Sequence, residues 1–597
     1  MPFGAECLQD GSVRFRLWAP KAQQVGVHLS ESGKNLPLEK SENGWFELTT
    51  KEARTGSRYR FQIDGAQQVP DPASRFQPDD VNGPSQVIDP STFEWQDGGW
   101  RGRPWDQAVL YELHLGAFTP EGTFAAAAQK LDHLVDFGIT AVELMPISDF
   151  PGRRNWGYDG VLPFAPDNSY GMPDDLKRLV DAAHGKGLMV FLDVVYNHFG
   201  PEGNYLRVYA PEFFTSRHCT PWGESINFDG PGSRTVRDFF IHNALYWLEE
   251  YHFDGLRLDA VDQIADDSKP HILTELAEAV RQKFGNERYV HLVLENDKNQ
   301  ASYLKRDGRS RPELFNAQWN DDIHHAFHVL LTNEQDGYYS DYTERPLDLL
   351  GRCLAEGFAY QGEASAYRGG ENRGEPSGGL PPTAFVNFLQ NHDQVGNRAF
   401  GERISQLTSP ACLKAAIAIL LLAPSPPLLF MGEEFCAKTP FFFFCNFTGD
   451  LAKAVTEGRR NEFKRFAKFA NPEMRARIPD PNDEKTFFAS KLDWSSLQKS
   501  EHQEWLRFYQ QLLNIRRRYI IPLQPELSQS TRRYSVIENR GLLVEWKMQN
   551  AKLCMMANFS GSPLASAFSS GREIIYSTNN EISGSGELAP WSVLWFL

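Results

Sequence analysis

Four short segments each end an apolar, strand-like run on a residue able to do chemistry. Nothing else in the chain limits its fold so tightly. They are 191–198 (FLDVVYNH), 255–262 (GLRLDAVD), 290–296 (VHLVLEN) and 385–393 (FVNFLQNHD). The last three deliver Asp259, Glu295 and Asp393. A (β/α)8 barrel sets its catalytic groups at the C-terminal ends of parallel strands. A pair of carboxylates is also what cleavage of a glycosidic bond requires.

The rest of the chain fits a barrel with company. Strands are predicted over 109–115, 141–145, 189–195, 255–259, 290–294, 314–319, 385–390 and 427–431, with helices over 124–137, 173–186, 233–251 and 272–284. Eight repeats over about 400 residues suit a parallel barrel better than an open doubly wound sheet. Two long interruptions, 200–232 and 320–383, are expected on the side where barrel active sites form. Residues 1–100 differ in texture. Short runs at 13–18, 25–29, 45–48 and 59–63 are separated by Gly, Pro, Ser and Asn, and VRFRLW alternates as a half-buried strand does. That is a small Ig-like β-sandwich, joined through the linker 98–104. A helix over 501–519 closes the barrel, and strands return at 534–537, 542–546, 552–557 and 592–596. The expected fold is multidomain α/β: a central TIM barrel (101–521) between N-terminal (1–100) and C-terminal (522–597) β-sandwiches.

Charge and cysteine usage narrow the partners. A net charge of −16 argues against nucleic acid or an acidic membrane surface. The chain holds 14 Trp, 20 Tyr and 42 Phe, which suits stacking on sugar rings, although most rings belong in cores. The run Phe441–Phe444 is read as buried packing because an exposed apolar patch of that size would be costly. Seven widely spaced cysteines without a CxxC pair point to reduced thiols rather than disulfides or zinc. The N-terminus lacks a basic region followed by an apolar run, and no stretch reaches about 18 uncharged apolar residues. The expectation is a cytoplasmic protein with no membrane partner, no cofactor and no bound metal. Whether it is a monomer or a dimer is left open.

The motifs divide the work. On a strand, residues i and i+2 face one side, so Arg257 and Asp259 share a face. A guanidinium beside a carboxylate favours its ionised form, which suits a nucleophile; a structural ion pair is the competing reading. Glu295 follows Leu292–Val293–Leu294, and burial near an anion would raise its pKa, as a proton donor requires. His392 and Asp393 could grip sugar hydroxyls, or Asp393 could simply cap a helix. Asp193 and His198 belong near the same cleft, and Asn197 could ligate a hard cation, although one Asn makes no site. Tyr158, in WGYD, could stack under a sugar or pack in the core.

Taken in order, DVVYNH, GLRLDAVD, LVLEN and FLQNHD closely resemble the four motifs of the α-amylase-type glycoside hydrolases, over roughly 109–519. The resemblance implies a retaining mechanism with Asp259 as nucleophile, Glu295 as acid/base and Asp393 as transition-state stabiliser. It also implies that Arg257, His198, His392, Asp193 and Tyr158 line the subsite of the cleaved glucose. The N-terminal VRFRLWAP resembles the starch-binding-like sandwich of branching, debranching and trehalose-forming members. Residues 316–325 (NAQWNDDIHH), 391–399 (NHDQVGNRA) and 458–463 (GRRNEF) are most similar to the members that cut the α-1,4 bond beside the terminal trehalose of malto-oligosyltrehalose. They add Trp319 and Asp321 as substrate contacts, and an α-glucan as substrate. An α-glucan branching or debranching enzyme, and a non-catalytic glucan-binding protein, are the alternatives. The second should have lost a carboxylate, and all three are present.

Overall fold

The computed structural model describes residues 2–220, 223–285, 287–565, 572–578 and 587–597. At its centre eight parallel strands form a ring: β1 (Leu110–Leu113), β2 (Ala141–Leu144), β3 (Met189–Val194), β4 (Gly255–Leu258), β5 (His291–Leu294), β6 (Ala317–Trp319), β7 (Phe385–Val386) and β8 (Leu428–Phe430). The neighbours run β7-β6-β5-β4-β3-β2-β1-β8, every ladder parallel. Each predicted strand is there, and each is shorter than expected.

The seam between β7 and β8 is thin. One bridge, Asn387 to Pro427, joins them. Asn387 N–H donates to Pro426 O at 2.9 Å, and its carbonyl accepts from Leu428 N–H at 2.8 Å. Pro427 has no N–H to extend that ladder, so β7 ends at Val386 instead of running on to residue 390.

The lumen is packed, not hollow. Leu110, Ala141, Met189, Phe191, Val293, Ala317, Val386, Phe388 and Leu428 fill it, and Trp105 packs with them. Above this apolar floor come Glu112, Glu143, Asp193 and Arg257, all buried. Alternate residues of each strand point inward, so the same pleat that fills the floor also raises polar groups toward the C-terminal rim.

Helices Pro173–Gly185, Ser233–Glu250 and Ile272–Phe284 follow the prediction. The segment expected as one helix over 124–137 is two, Phe124–Ala128 and Leu131–Phe137. Lys130 N–H bonds Ala127 O at 2.9 Å, tightening the chain by one residue between them. Within 320–383 lie two helices, Asp321–Thr332 and Pro346–Glu356, the second packed on strands Thr531–Ile537 and Gly541–Lys547.

The N-terminal strands form two antiparallel sheets, with Val13, Phe15 and Leu17 buried as the alternation required. The C-terminal strands form a five-stranded antiparallel sheet beside a two-stranded one. Among the described residues no helix is long and apolar enough to cross a membrane.

A buried fork ties the N-terminal layer to the barrel. Arg75 Nε and Nη2 donate to the two oxygens of Glu250, at 3.0 and 2.9 Å, and Nη1 donates to Ala5 O at 2.8 Å. Glu250 ends the helix Ser233–Glu250. Arg75→Ala would strand the Glu250 charge, and breaking one side of such a buried pair costs about 3–5 kcal/mol. A clearly lower melting temperature with unchanged kcat/KM is expected. An unchanged melting temperature would remove the pair as a stabilising contact.

Candidate active site

Arg257 is the hub of the rim. Its Nη1 donates to Asp193 Oδ2 at 2.6 Å and to Asp259 Oδ1 at 2.9 Å, while Nη2 donates to Glu295 Oε2 at 2.6 Å. The guanidinium is fully buried and lies 4.2 Å over the ring of Trp319. Trp319, expected against substrate, is therefore a floor tile under Arg257 and only 1% exposed. An arginine suits this place because its planar fork serves several carboxylates and stacks on an aromatic face.

Two of the three carboxylates on that fork, Asp259 and Glu295, have different second partners. Asp259 Oδ2 accepts from Asn197 Nδ2 at 2.7 Å, and the same nitrogen bonds the Asp259 carbonyl at 2.8 Å. Asn197 thus serves Asp259 through its amide nitrogen. Its Oδ1 meets His198 Nδ1. Glu295 Oε2 accepts a second hydrogen bond, from Ala260 N–H at 2.9 Å. Glu295 Oε1 has no hydrogen bond among the described residues, and the side chain is 21% exposed. A proton on Glu295 therefore belongs on Oε1.

Burial raises the pKa of both groups. For Asp259 this runs against the expectation of a depressed value, although Arg257 and the Asn197 hydrogen bond oppose the rise. For Glu295 burial outweighs Arg257, and the negative charges of Asp259 and Asp393 add to it, pushing the pKa up to about 8. Both oxygens of Asp259 accept hydrogen bonds whereas Glu295 Oε1 accepts none among the described residues, so a proton shared by the two is better accommodated at Glu295.

Across the cleft, Tyr158 OH donates to Asp193 Oδ2 at 2.7 Å and lies 2.8 Å from His392 Nε2. The tyrosine and imidazole rings stack at 5.2 Å. Tyr158 is thus part of the polar network, not of the core. Asp393 does not cap its helix. Asn391 does, its Oδ1 accepting from Asp393 N–H at 2.9 Å, with Gln394 completing a capping box. That leaves the Asp393 carboxylate 34% exposed, held by Asn397 Nδ2 at 2.9 Å. Asp321 opens the helix Asp321–Thr332; burial first, then the charges of Glu295 and Asp297, raise its pKa well above the usual range. A cavity of about 150 Å³ opens beside Asp393, with Tyr338, Asn397, Arg398 and Phe466 among its walls.

The structure therefore brings Asp193, Asp259, Glu295, Arg257, Tyr158, His392 and Asp393 into one network. His198 is attached to it through Asn197. Sequence reasoning missed Glu112 and Glu143, charged residues in the middle of YELHL and VELMP. A carboxylate inside an otherwise apolar barrel strand was the signal for both. Among the described residues one group, His218, Asp229 and Asp267, has spacing that could hold a metal ion. Arg217 lies 3.1 Å from Asp229 and 3.7 Å from Asp267, so those charges already have a partner.

Residues 87–243 match the family model of the alpha-amylase catalytic domain, and residues 2–83 that of carbohydrate-binding module 48, the isoamylase N-terminal domain. The chain is 44% identical over 521 residues to the malto-oligosyltrehalose trehalohydrolase of Deinococcus radiodurans, covering 86% of this chain and 82% of that one. It is 39% identical over 573 residues to the enzyme of that name from Saccharolobus solfataricus, covering 96% of each. A crystal structure of a putative alpha amylase from Salmonella typhimurium superposes with a TM-score of 0.94 at 45% identity, over 99% of both chains.

Proposed function

The chain belongs to the malto-oligosyltrehalose trehalohydrolases of the alpha-amylase family, and on that premise we propose how its cleft does the work. It is a glycosidase that cuts the α-1,4-glucosidic bond next to the terminal trehalose of malto-oligosyltrehalose, releasing trehalose and a malto-oligosaccharide. The observation that carries the proposed roles is the shared guanidinium. Two carboxylates on the two ends of one Arg257 fork are held close together, as double displacement needs.

In the first step Asp259 attacks the anomeric carbon as the bond to the glycosidic oxygen breaks. The proton on Glu295 Oε1 passes to that oxygen, so trehalose leaves as a neutral alcohol and the malto-oligosaccharide is left as an ester on Asp259. Glu295, now ionised, takes a proton from water. The water oxygen bonds the anomeric carbon, and Asp259 departs as a carboxylate. Asp393 faces the flattened, cationic ring between these states and stabilises it electrostatically. Tyr158, Asp193, His392 and His198 hold the ring that is cleaved, and Asp321 contacts the glucan from the cleft edge.

The departing trehalose falls on the rim beyond Glu295. Two residues past Glu295, Asp297 Oδ1 accepts from Arg368 Nη2 at 2.6 Å, and Tyr367, beside Arg368 in the chain, stands exposed with its ring centroid 6.3 Å from that of exposed Tyr338, which also walls the cavity beside Asp393. Exposed tyrosines beside a charged pair suit a sugar that must be gripped and let go.

Incubation with maltosyl-trehalose and, separately, with maltopentaose tests the reading. Free trehalose should form from the first, while the second changes little. Chains transferred into branches, or no product from either, would overturn it.

A further inference from the structure

His392 sits between two acceptors. Its Nδ1 lies 2.5 Å from Glu112 Oε1, and its backbone N–H donates to Glu112 Oε2 at 2.9 Å. On the other side, Nε2 lies 2.8 Å from Tyr158 OH. The phenol has one proton, and Asp193 Oδ2 takes it at 2.7 Å. Oδ2 is the oxygen paired with the Arg257 guanidinium at 2.6 Å, and the other carboxyl oxygen, Oδ1, has no hydrogen bond among the described residues, so any proton on Asp193 belongs on Oδ1 and Oδ2 is an acceptor. The Tyr158 oxygen therefore accepts from Nε2–H, and Glu112 accepts from Nδ1–H. An imidazole that donates from both nitrogens is an imidazolium.

We propose that Glu112, on β1, is the counter-ion of His392, and a positioning residue that keeps its ring doubly protonated with Nε2–H aimed into the cleft. Glu112 is 1% exposed and makes both of its bonds to this one residue. Its neighbour across the ladder, Glu143, is buried too, but among the described residues neither of its oxygens has a hydrogen bond. Burial, then the charges of Glu112 and Asp193, push the Glu143 pKa well above the usual carboxylate range, and of the two facing carboxyls Glu112 is the one hydrogen-bonded to His392 and so the one that meets the cation.

The charge matters because of what else surrounds it. Asp393 Oδ1 lies 3.5 Å from Nε2, and Glu112 faces the ring from below. Asp193, Arg257, Glu143 and His114 complete the charged and titratable surroundings. Burial by itself would discharge the imidazole. The charges of Asp393 and Glu112 outweigh it and push its pKa up to about 9. A neutral His392 would present a lone pair either to Glu112 or to Tyr158, and one link from β1 to Arg257 would break.

Glu112→Gln keeps the shape, removes the charge and offers His392 one acceptor instead of two. Its kcat should fall at least ~10-fold with KM little changed, as for loss of an interaction that matters in the transition state. Without Glu112 one of the two anions that oppose burial is gone, so His392 loses its proton at lower pH, and the alkaline limb of the pH–rate profile, set in the parent by Glu295 at about 8, moves toward acid as His392 titrates below it. A purely structural role would leave that limb in place. The second arm is read on the wild-type protein, with a variant used only to assign signals, and does not need the cleavage reading on which the kinetic arm rests. In wild-type protein labelled with 15N-histidine, the His392 signals are identified by their loss in His392→Gln. Both ring nitrogens should show imidazolium shifts at pH 7. A neutral tautomer at that pH, or a Glu112→Gln profile superimposable on the parent, would overturn the proposal.

Discussion

Asp259→Asn should lower kcat by ~10⁴-fold or more while the protein stays folded, because no ester can form on an amide and residues acting as a unit fail together. The fold should survive for a local reason. The amide oxygen can still accept from Arg257 Nη1, as Asp259 Oδ1 does at 2.9 Å. The amide nitrogen meets Asn197 Nδ2, a donor facing a donor, at the place where Asp259 Oδ2 now accepts at 2.7 Å. That mismatch is one lost hydrogen bond, about 1–3 kcal/mol. Turnover of maltosyl-trehalose, with circular dichroism on the same sample, decides it. A folded variant turning over near the parental rate would take the nucleophile's role away from Asp259.

Glu295→Gln should be nearly as damaging for a different reason. Losing a general acid costs ~10²–10⁴-fold, and the loss should depend on the leaving group. An aryl glycoside with an acidic phenol needs no proton to depart, so its first step should be largely restored while maltosyl-trehalose stays slow. The pH dependence follows from the same group. In its proposed role Glu295 can donate only while protonated, and its pKa is raised to about 8, so kcat/KM should fall as pH rises through that value. At the acid end the limit is Asp259, which must be ionised to attack. In Glu295→Gln the alkaline limb tied to residue 295 should vanish. If both substrates slow equally and the limb stays, Glu295 is not the proton donor.

Much of this was readable in the chain, and the physics explains what was not. Barrel strands buried on both faces read as short apolar runs, and all eight stood out on that ground. The carboxylates at their ends stood out because a charge after an apolar run is unusual. Asp393 was ambiguous from sequence, since Asp is a good helix cap; the structure gives the cap to Asn391, two residues earlier. Trp319 read as a substrate contact because nothing in NAQWNDD says which side of β6 it faces; it packs under Arg257. Phe441–Phe444 read as packing, and Phe441 and Phe444 are fully buried, Phe441 stacked on Trp156 at 5.5 Å. The sharing of one guanidinium by three carboxylates could not be read at all. It depends on β3, β4 and β5 being neighbours, with Asp193 level with Arg257 in register. Ladder register is a property of the closed ring, invisible in any one segment.

The thin seam beside β7 has a consequence for how the cleft could be rebuilt. Strands β2 to β5 carry their chemistry on four or more laddered residues, so backbone pairing alone fixes where their side chains arrive. Strand β7 has two, with one bridge on its far side, yet it delivers His392 and Asp393. Their position is set from across the ring by Glu112 and from within the turn by Asn391. A loop transplanted after β3, β4 or β5 inherits its aim from the sheet. A loop transplanted after β7 does not: it would have to bring the Asn391 cap with it and be matched to the residue at position 112, so for protein engineering the graft unit there spans two strands that lie on either side of β8.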